Sequence, residues 1–365
     1  MYEFKNIVIV GVGLIGGSLG MSIKRKINRV NITGIDEEPV IKEALDRKAI
    51  DRGVVKGQID CIRDADLIFL CTPINSILEL IEDVGTRIKK DALVTDVGST
   101  KTRIVDKSLK YINSNGYFIG GHPMTGSHGC GIKWADPLLF ENCIYVLTPG
   151  EEIPLPLIHK FGSLLEKIGA RVILMSPSTH DRIAAFVSHL PQIVAVSMVN
   201  MIAAHNKNNG NFLKMAAGGF RDMTRVASSP YSLWKEILET NKDNILNAID
   251  QFTKEIQNIK FMISKDSASE SFNRASISRL SIPSDTKGFL HPHFDLYIQV
   301  EDRPGEISTI SSLLAQKNIN ICDIEILKVR EQEAGTMRLS FETNKIRTTA
   351  IRLLKNKRYN CWIRD

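Results

Sequence analysis

A histidine stands in a glycine-flanked turn, Gly120-Gly121-His122-Pro123-Met124-Thr125-Gly126, reached through the strand-like run Tyr117-Phe118-Ile119. Glycine lets backbone approach a ligand closely, and a proline restricts the residue before it. Imidazole is the side chain whose ordinary pKa suits proton transfer near neutral pH. Upstream, Gly11-Val12-Gly13-Leu14-Ile15-Gly16 follows the apolar run Ile7 to Val10 and opens a helix-like segment. In that setting Gly11 permits a tight turn, Gly13 admits a pyrophosphate to the backbone, and Gly16 allows close helix–strand packing. The helix N-terminus then presents N–H groups to the phosphates. A neutral base beside a bound dinucleotide is the pairing that alcohol oxidation requires.

Further residues extend both halves of this site. Gly11, Gly13, Leu14, Ile15 and Gly16 are the expected cofactor loop. Asp36, at the end of the second strand-like run, is placed to accept from ribose hydroxyls and to repel a 2′-phosphate, which favours NAD over NADP. Pro39 also makes Asp36 a candidate helix cap. Thr72 and Pro73 end another apolar run and are expected beside the cofactor, because ligands of doubly wound sheets lie beyond the strands' carboxyl ends. In Asp96-Val97-Gly98-Ser99-Thr100-Lys101, Ser99 is a candidate donor and Lys101 a candidate positive charge at the cofactor. Helix capping by Ser99 or Thr100 is the alternative.

On the substrate side, His180 and His189 are nine positions apart in a helix-like stretch. That is about 900° of rotation at roughly 100° per residue, so a straight helix would point them to opposite faces. Pro191 is the candidate source of a bend. Gly218-Gly219-Phe220-Arg221-Asp222-Met223-Thr224-Arg225 carries two arginines beside a glycine pair, a composition suited to a carboxylate but also to an ordinary surface helix.

These residues sit in a chain of 365 with a modest net charge of +6. Its short basic runs, such as Lys24-Arg25-Lys26, lack interleaved aromatics and read as solvated faces, so nucleic acid is not an expected partner. The six cysteines are scattered without a C-x-x-C, which argues against a disulfide framework or a zinc site and suits a reducing cytoplasm. Ile7 to Ile23 is apolar, but its glycines follow nucleotide-binding spacing and no basic segment precedes it. A mature start and no membrane partner are therefore expected.

Alternating strand-like and amphipathic segments predict an α/β domain at 1–175, a Rossmann-type doubly wound sheet. Strand candidates are Ile7 to Val10, Asn31 to Ile35, Leu67 to Cys71, Ala92 to Asp96, Tyr117 to Ile119, Cys143 to Leu147 and Arg171 to Leu174. An all-α substrate and dimerisation domain follows at 176–268, including a long helix over Ser178 to His205 interrupted at Pro191. Serine-rich 269–293 reads as a linker. Residues 294–365 show a βαββαβ order, a small α+β ferredoxin-like module.

Taken together, five elements resemble the prephenate/arogenate dehydrogenase family of tyrosine biosynthesis. They are Gly-Val-Gly-Leu-Ile-Gly-Gly-Ser at 11–18, Asp-Val-Gly-Ser-Thr-Lys at 96–101, Gly-His-Pro-Met-Thr-Gly at 121–126, Ser-His-Leu-Pro at 188–191 and Gly-Gly-Phe-Arg-Asp-Met-Thr-Arg at 218–225. The resemblance implies NAD-dependent oxidative decarboxylation of prephenate to 4-hydroxyphenylpyruvate. It implies His122 as acceptor of the hydroxyl proton, Ser99 as its hydrogen-bonding helper and Arg225 as the holder of a substrate carboxylate. His189 and His180 fall at histidine positions near that family's active site. Gln192 stands where some relatives carry a second histidine at the substrate site tied to tyrosine inhibition, so direct inhibition there is not implied. The tail resembles an ACT domain, an amino-acid-sensing module, through Asp302, Pro304, Gly305 and Asn320, which implies tyrosine as effector. A homodimer is implied as well. Arogenate as substrate, a non-catalytic NAD and amino-acid sensor, and another ACT-bearing dehydrogenase acting on a hydroxy acid are the alternatives.

Overall fold

The computed structural model describes residues 4–112, 114–126, 129–206, 210–281, 294–301, 303–328 and 335–363. It divides into two compact units, Met1–Ala275 and Ser276–Asp365.

The first unit is built on short apolar strands that alternate with helices. In chain order these are β1 (Asn6–Val10), α1 (Leu14–Lys26), β2 (Asn31–Asp36), α2 (Glu38–Asp46), β3 (Arg52–Val55), β4 (Leu67–Leu70), α3 (Ile74–Arg87), β5 (Ala92–Asp96), α4 (Thr102–Tyr111), β6 (Gly116–Pro123), β7 (Ile144–Pro149), α5 (Leu155–Lys167) and β8 (Arg171–Leu174). The sheet order is β3-β2-β1-β4-β5-β6-β7-β8, with β7 antiparallel to β6 and every other pair parallel. The order therefore reverses between β1 and β4, and the crevice at their carboxyl ends is where such sheets bind ligands. Because neighbouring strand residues face opposite sides, Ile7 and Ile9 pack with Leu67 and Phe69 on one face, while Val8 and Val10 pack with Ile68 and Leu70 on the other. Strand β3 was not among the sequence candidates. Arg-Gly-Val-Val is too short to show alternation, and its pairing with β2 supplies what its own pattern lacks.

The helical region comprises α6 (Pro177–Ala184), a π turn (Ala185–His189), α7 (Leu190–Asn206), α8 (Asn211–Lys214), α9 (Gly218–Thr224), a 3₁₀ turn (Arg225–Ser228), α10 (Tyr231–Thr240), α11 (Lys242–Ser264) and α12 (Ser269–Ser281). Ala185, Ile237, Ile245 and Ala248 join the same core as Val8 and Val94, so these helices are fastened to the sheet's second face. By length and composition Pro177–Asn206 would pass for a membrane span. Its inward face nevertheless buries His180, Asp181, His189 and Gln192.

Two expectations change here. The helix is not interrupted at Pro191. It widens one turn earlier, where the Leu190 N–H bonds the Ala185 carbonyl, and then runs through the proline. Proline has no N–H to offer the preceding turn, and a π turn accommodates that loss without breaking the helix. The serine-rich stretch expected as a linker is helical over Ser269–Ser281. Serine only weakly opposes helix, and Glu270, Ala275 and the arginines among these residues favour it.

The second unit contains β9 (Phe294–Val300), α13 (Glu306–Ala315), β10 (Asp323–Lys328), β11 (Gly335–Phe341), α14 (Asn344–Asn356) and β12 (Cys361–Trp362). Its antiparallel sheet has the order β10-β11-β9-β12, and α13 and α14 cover it through Ile310, Leu314, Ala350 and Leu354. This is the βαββαβ module the tail predicts. Gly305 opens α13 with φ 93°, a left-handed conformation that favours glycine. Pro304 shares that turn, Asn320 is exposed just before β10, and Asp302 lies outside the described residues.

Candidate active site

The loop after β1 is shaped for a phosphate-bearing ligand. Gly11 has φ +90°, and a Cβ there would lie 2.7 Å from the Cys71 carbonyl oxygen. A Cβ on Gly16 would meet the Gly11 carbonyl oxygen at 2.0 Å, so only glycine lets α1 sit this close to the loop. At Gly13 a Cβ would have nothing nearer than 4.0 Å, leaving that backbone open to approach. Gly13 also caps α1 without a side-chain bond, so the first helical N–H groups, at Leu14 and Ile15, remain available. Asp36 accepts from the Val12 N–H at 2.6 Å and the Glu37 N–H at 2.7 Å, which ties the end of β2 to the loop. It does not cap α2, whose N-cap is Glu37. Thr72 lies against Gly11, and its buried Oγ1 has no hydrogen-bond partner among the described residues. Pro73 caps α3 beside it. Loop, helix end and orphaned hydroxyl together fit a dinucleotide.

His122 lies on β6, paired with Val146 of β7, and is 9% exposed. Its Nδ1 is 2.8 Å from Nε2 of His180, and Nδ1 of His180 is 2.9 Å from Oδ1 of Asp181. Asp181 also accepts the backbone N–H groups of Lys101 at 2.7 Å and Thr102 at 2.8 Å, capping α4 from another helix. Burial, with His180, Lys101 and His189 nearby, pushes His122 well below the usual histidine range and keeps it neutral. Burial alone would raise the Asp181 carboxyl, but bonds from His180, Thr102 and Lys101 outweigh it and hold the group below the ordinary value.

Both helix histidines reach this cluster. A π turn takes up one extra residue, so nine positions turn through about 800°, leaving the two rings roughly 80° apart instead of opposed. Asn241, buried at the start of α11, donates to the Asp181 carbonyl at 2.7 Å and lies 3.3 Å from Nδ1 of His189. His189 meets Trp234 edge-on at 5.9 Å. Asp181, Asn241 and Trp234 were not sequence candidates. The Asp next to His180 was the one available signal.

Lys101 requires a correction. It is wholly buried, with Nζ bonded to Asp96 Oδ2 and, at 2.7 Å, to the Gly121 carbonyl. Asp96 in turn accepts from the Gly98 and Gly121 N–H groups. The ion pair braces the end of β6 that carries His122, so the ammonium is engaged within the protein. Ser99 sits half-buried in the same turn, yet it caps nothing and forms no bond with His122, whose Nδ1 belongs to His180. Gln192 is buried on α7 near this cluster's helix. Arg225 is exposed and makes no side-chain hydrogen bond or ion pair among the described residues.

Comparison with known proteins decides the family. Residues 19–174 match the nucleotide-binding domain model of prephenate dehydrogenase, and residues 176–275 match its dimerization domain model. The chain is 37% identical over 353 residues to a prephenate dehydrogenase of Bacillus subtilis, covering 94% of each chain. The chain belongs to the prephenate dehydrogenase family. A second relative, from Lactococcus lactis, is 34% identical, with 93% of this chain and 94% of that one covered. Among solved structures, the prephenate dehydrogenase of Aquifex aeolicus in complex with hydroxyphenyl propionate and NAD+ is 31% identical with a TM-score of 0.71, covering 77% of this chain and 99% of that one. An arogenate dehydrogenase of Synechocystis is 30% identical with a TM-score of 0.66, covering 75% and 97%. This member of the family is an NAD-dependent oxidoreductase.

The buried histidines set a pH limit on stability. Burial, opposed by Asp181 and reinforced by His180, lowers His189 to about 4. The unfolded chain binds a proton there near pH 6.5 that the folded chain refuses, so stability is lost as pH falls from about 6.5 to about 4. Urea titrations across that window are expected to show up to about 3 kcal/mol of loss from this residue. His189→Gln should flatten the dependence. An equally steep dependence in that variant would contradict the assignment.

Proposed function

We propose that the chain oxidises prephenate to 4-hydroxyphenylpyruvate and carbon dioxide with NAD. The observation that carries this is His122: a neutral imidazole with one nitrogen held by His180, at the same carboxyl-end edge of the sheet as a glycine loop suited to a dinucleotide. NAD bound there supplies the hydride acceptor. His122 takes the ring-hydroxyl proton as the C–H electron pair leaves. Loss of carbon dioxide then returns electrons to the ring, and His122 gives the proton back to the phenolic oxygen, so no net proton is released. Ser99, half-buried at the crevice, is assigned to the substrate hydroxyl; its helper role reaches His122 only through that group. Arg225 is assigned to a substrate carboxylate, with His189 and Gln192 lining the same side.

NADH absorbance with prephenate and, separately, arogenate tests the activity, and no turnover with either would reject it. Arogenate is a genuine second substrate candidate because the Synechocystis structure is nearly as similar as the Aquifex one. Arg225→Ala is expected to raise the prephenate KM about tenfold or more, the loss of a charge-assisted hydrogen bond, with a smaller effect on kcat. An unchanged KM would remove Arg225 from the site.

The tail is proposed to act as an ACT-type sensor of tyrosine, on the strength of its βαββαβ sheet and the left-handed Gly305 turn before α13. Tyrosine inhibition assays on the whole chain and on a chain lacking residues 294–365 test it. Inhibition retained in full by the truncated chain would contradict the proposal. The protein is further proposed to work as a cytoplasmic homodimer through the helical region, which exposes Val187, Met201, Phe212, Leu213 and Met215.

A further inference from the structure

Behind His122 lies a two-residue chain that bears on which of its nitrogens is free. Resting on the reading of His122 as proton acceptor, we propose that Asp181, acting through His180, is a positioning residue that fixes the tautomer of His122 and leaves its Nε2 bare for the substrate hydroxyl.

The direction is dictated from the Asp181 end. Its two oxygens accept the N–H groups of Lys101 and Thr102 at the start of α4, where helix geometry favours a negative charge. An ionised carboxylate accepts and never donates. Nδ1 of His180, 2.9 Å from Oδ1, must therefore carry a hydrogen. In a neutral imidazole the other nitrogen is then an acceptor, and Nε2 of His180 lies 2.8 Å from Nδ1 of His122. His122 must donate from Nδ1, so its lone pair is on Nε2. All three side chains are buried, and Asn241 holds the Asp181 carbonyl from α11, so the order has little room to rearrange. The charged and titratable groups facing this chain from other elements are Lys101, already paired with Asp96, and His189.

The opposite order, with Nε2–H of His180 donating to Nδ1 of His122, would move the His122 hydrogen to Nε2 and remove the base.

The test uses the full-length enzyme with ¹⁵N-labelled histidine at pH 8. Long-range ¹H–¹⁵N spectra report each ring's tautomer, with assignment through His122→Asn and His180→Gln. Wild-type His122 is expected protonated on Nδ1. His180→Leu, which offers no acceptor, should lower kcat by on the order of 10²-fold or more, leave the NAD Kd within threefold, and shift the acid limb of the kcat profile. His180→Gln keeps a carbonyl oxygen for the Nδ1–H and should recover most of that loss. Asp181→Asn preserves shape while removing the charge, and because an amide can also donate to Nδ1 of His180 it no longer dictates the tautomer, so the kcat plateau should fall. Wild-type His122 protonated on Nε2, or His180→Leu with kcat and acid limb unmoved, overturns the positioning role. If His122→Asn itself keeps full activity, the underlying reading of His122 fails instead.

Discussion

His122→Asn is expected to lower kcat for prephenate by about 10²–10⁴-fold, the usual worth of a positioned general base. The substitution is nearly isosteric at a buried strand position, so the fold should survive it. The loop proposed to hold NAD is built from Gly11, Gly13 and Gly16, anchored by Asp36 through Val12, and none of these bonds involves His122. NAD affinity by titration calorimetry should therefore stay within about twofold of wild type, a difference of less than about 0.5 kcal/mol. Asparagine also cannot titrate, so the acid limb of the rate profile should disappear along with the rate. A variant that kept its kcat, or lost NAD affinity in proportion to its rate, would show that the histidine serves the fold or the cofactor and not the proton.

Lys101→Met should produce the largest loss of stability. The lysine and Asp96 are both completely buried and bonded to each other. Removing one member leaves a carboxylate in the interior with only the Gly98 and Gly121 N–H groups for company, a change that typically costs about 3–5 kcal/mol. The Gly121 carbonyl loses its donor as well, so the strand end that carries His122 should loosen. Urea unfolding would read the first effect and kcat the second. Pairing it with Asp96→Asn should recover much of the stability, because a neutral pair avoids the unpaired charge. A single-variant loss below about 1 kcal/mol would contradict the burial of this pair.

The parts of the site that could be read in the chain are those written in consecutive residues. The loop at Gly11 to Gly16 owes its shape to glycines two and then three positions apart, and His122 is flanked by the glycines and proline that place it. The parts that could not be read are those made by packing. Asp181 looks like an ordinary helix residue until α4 arrives with two open N–H groups, and Asn241 needs three helices to meet before it has anything to hold. Lys101 misled because a lysine after a strand is usually solvated; only the tertiary partner Asp96 explains its burial. The fold followed the same division. The unbroken apolar run of β4 and the long periodic α3 were plain, whereas β3 takes its identity from β2, and the helix over Ser269–Ser281 has too few apolar residues to announce itself.

The π turn at Ala185–His189 lets a single helix serve two masters. A regular helix locks every residue to one angular phase, so a surface optimised at one end constrains the other. One surplus residue resets that phase midway. The amino-terminal half can orient His180 and Asp181 for chemistry while the carboxyl-terminal half turns Val196 and Met201 outward on its own schedule. Sequence drift along the outer face can then proceed without rotating the histidines, which leaves the two faces of one continuous rod separately adjustable.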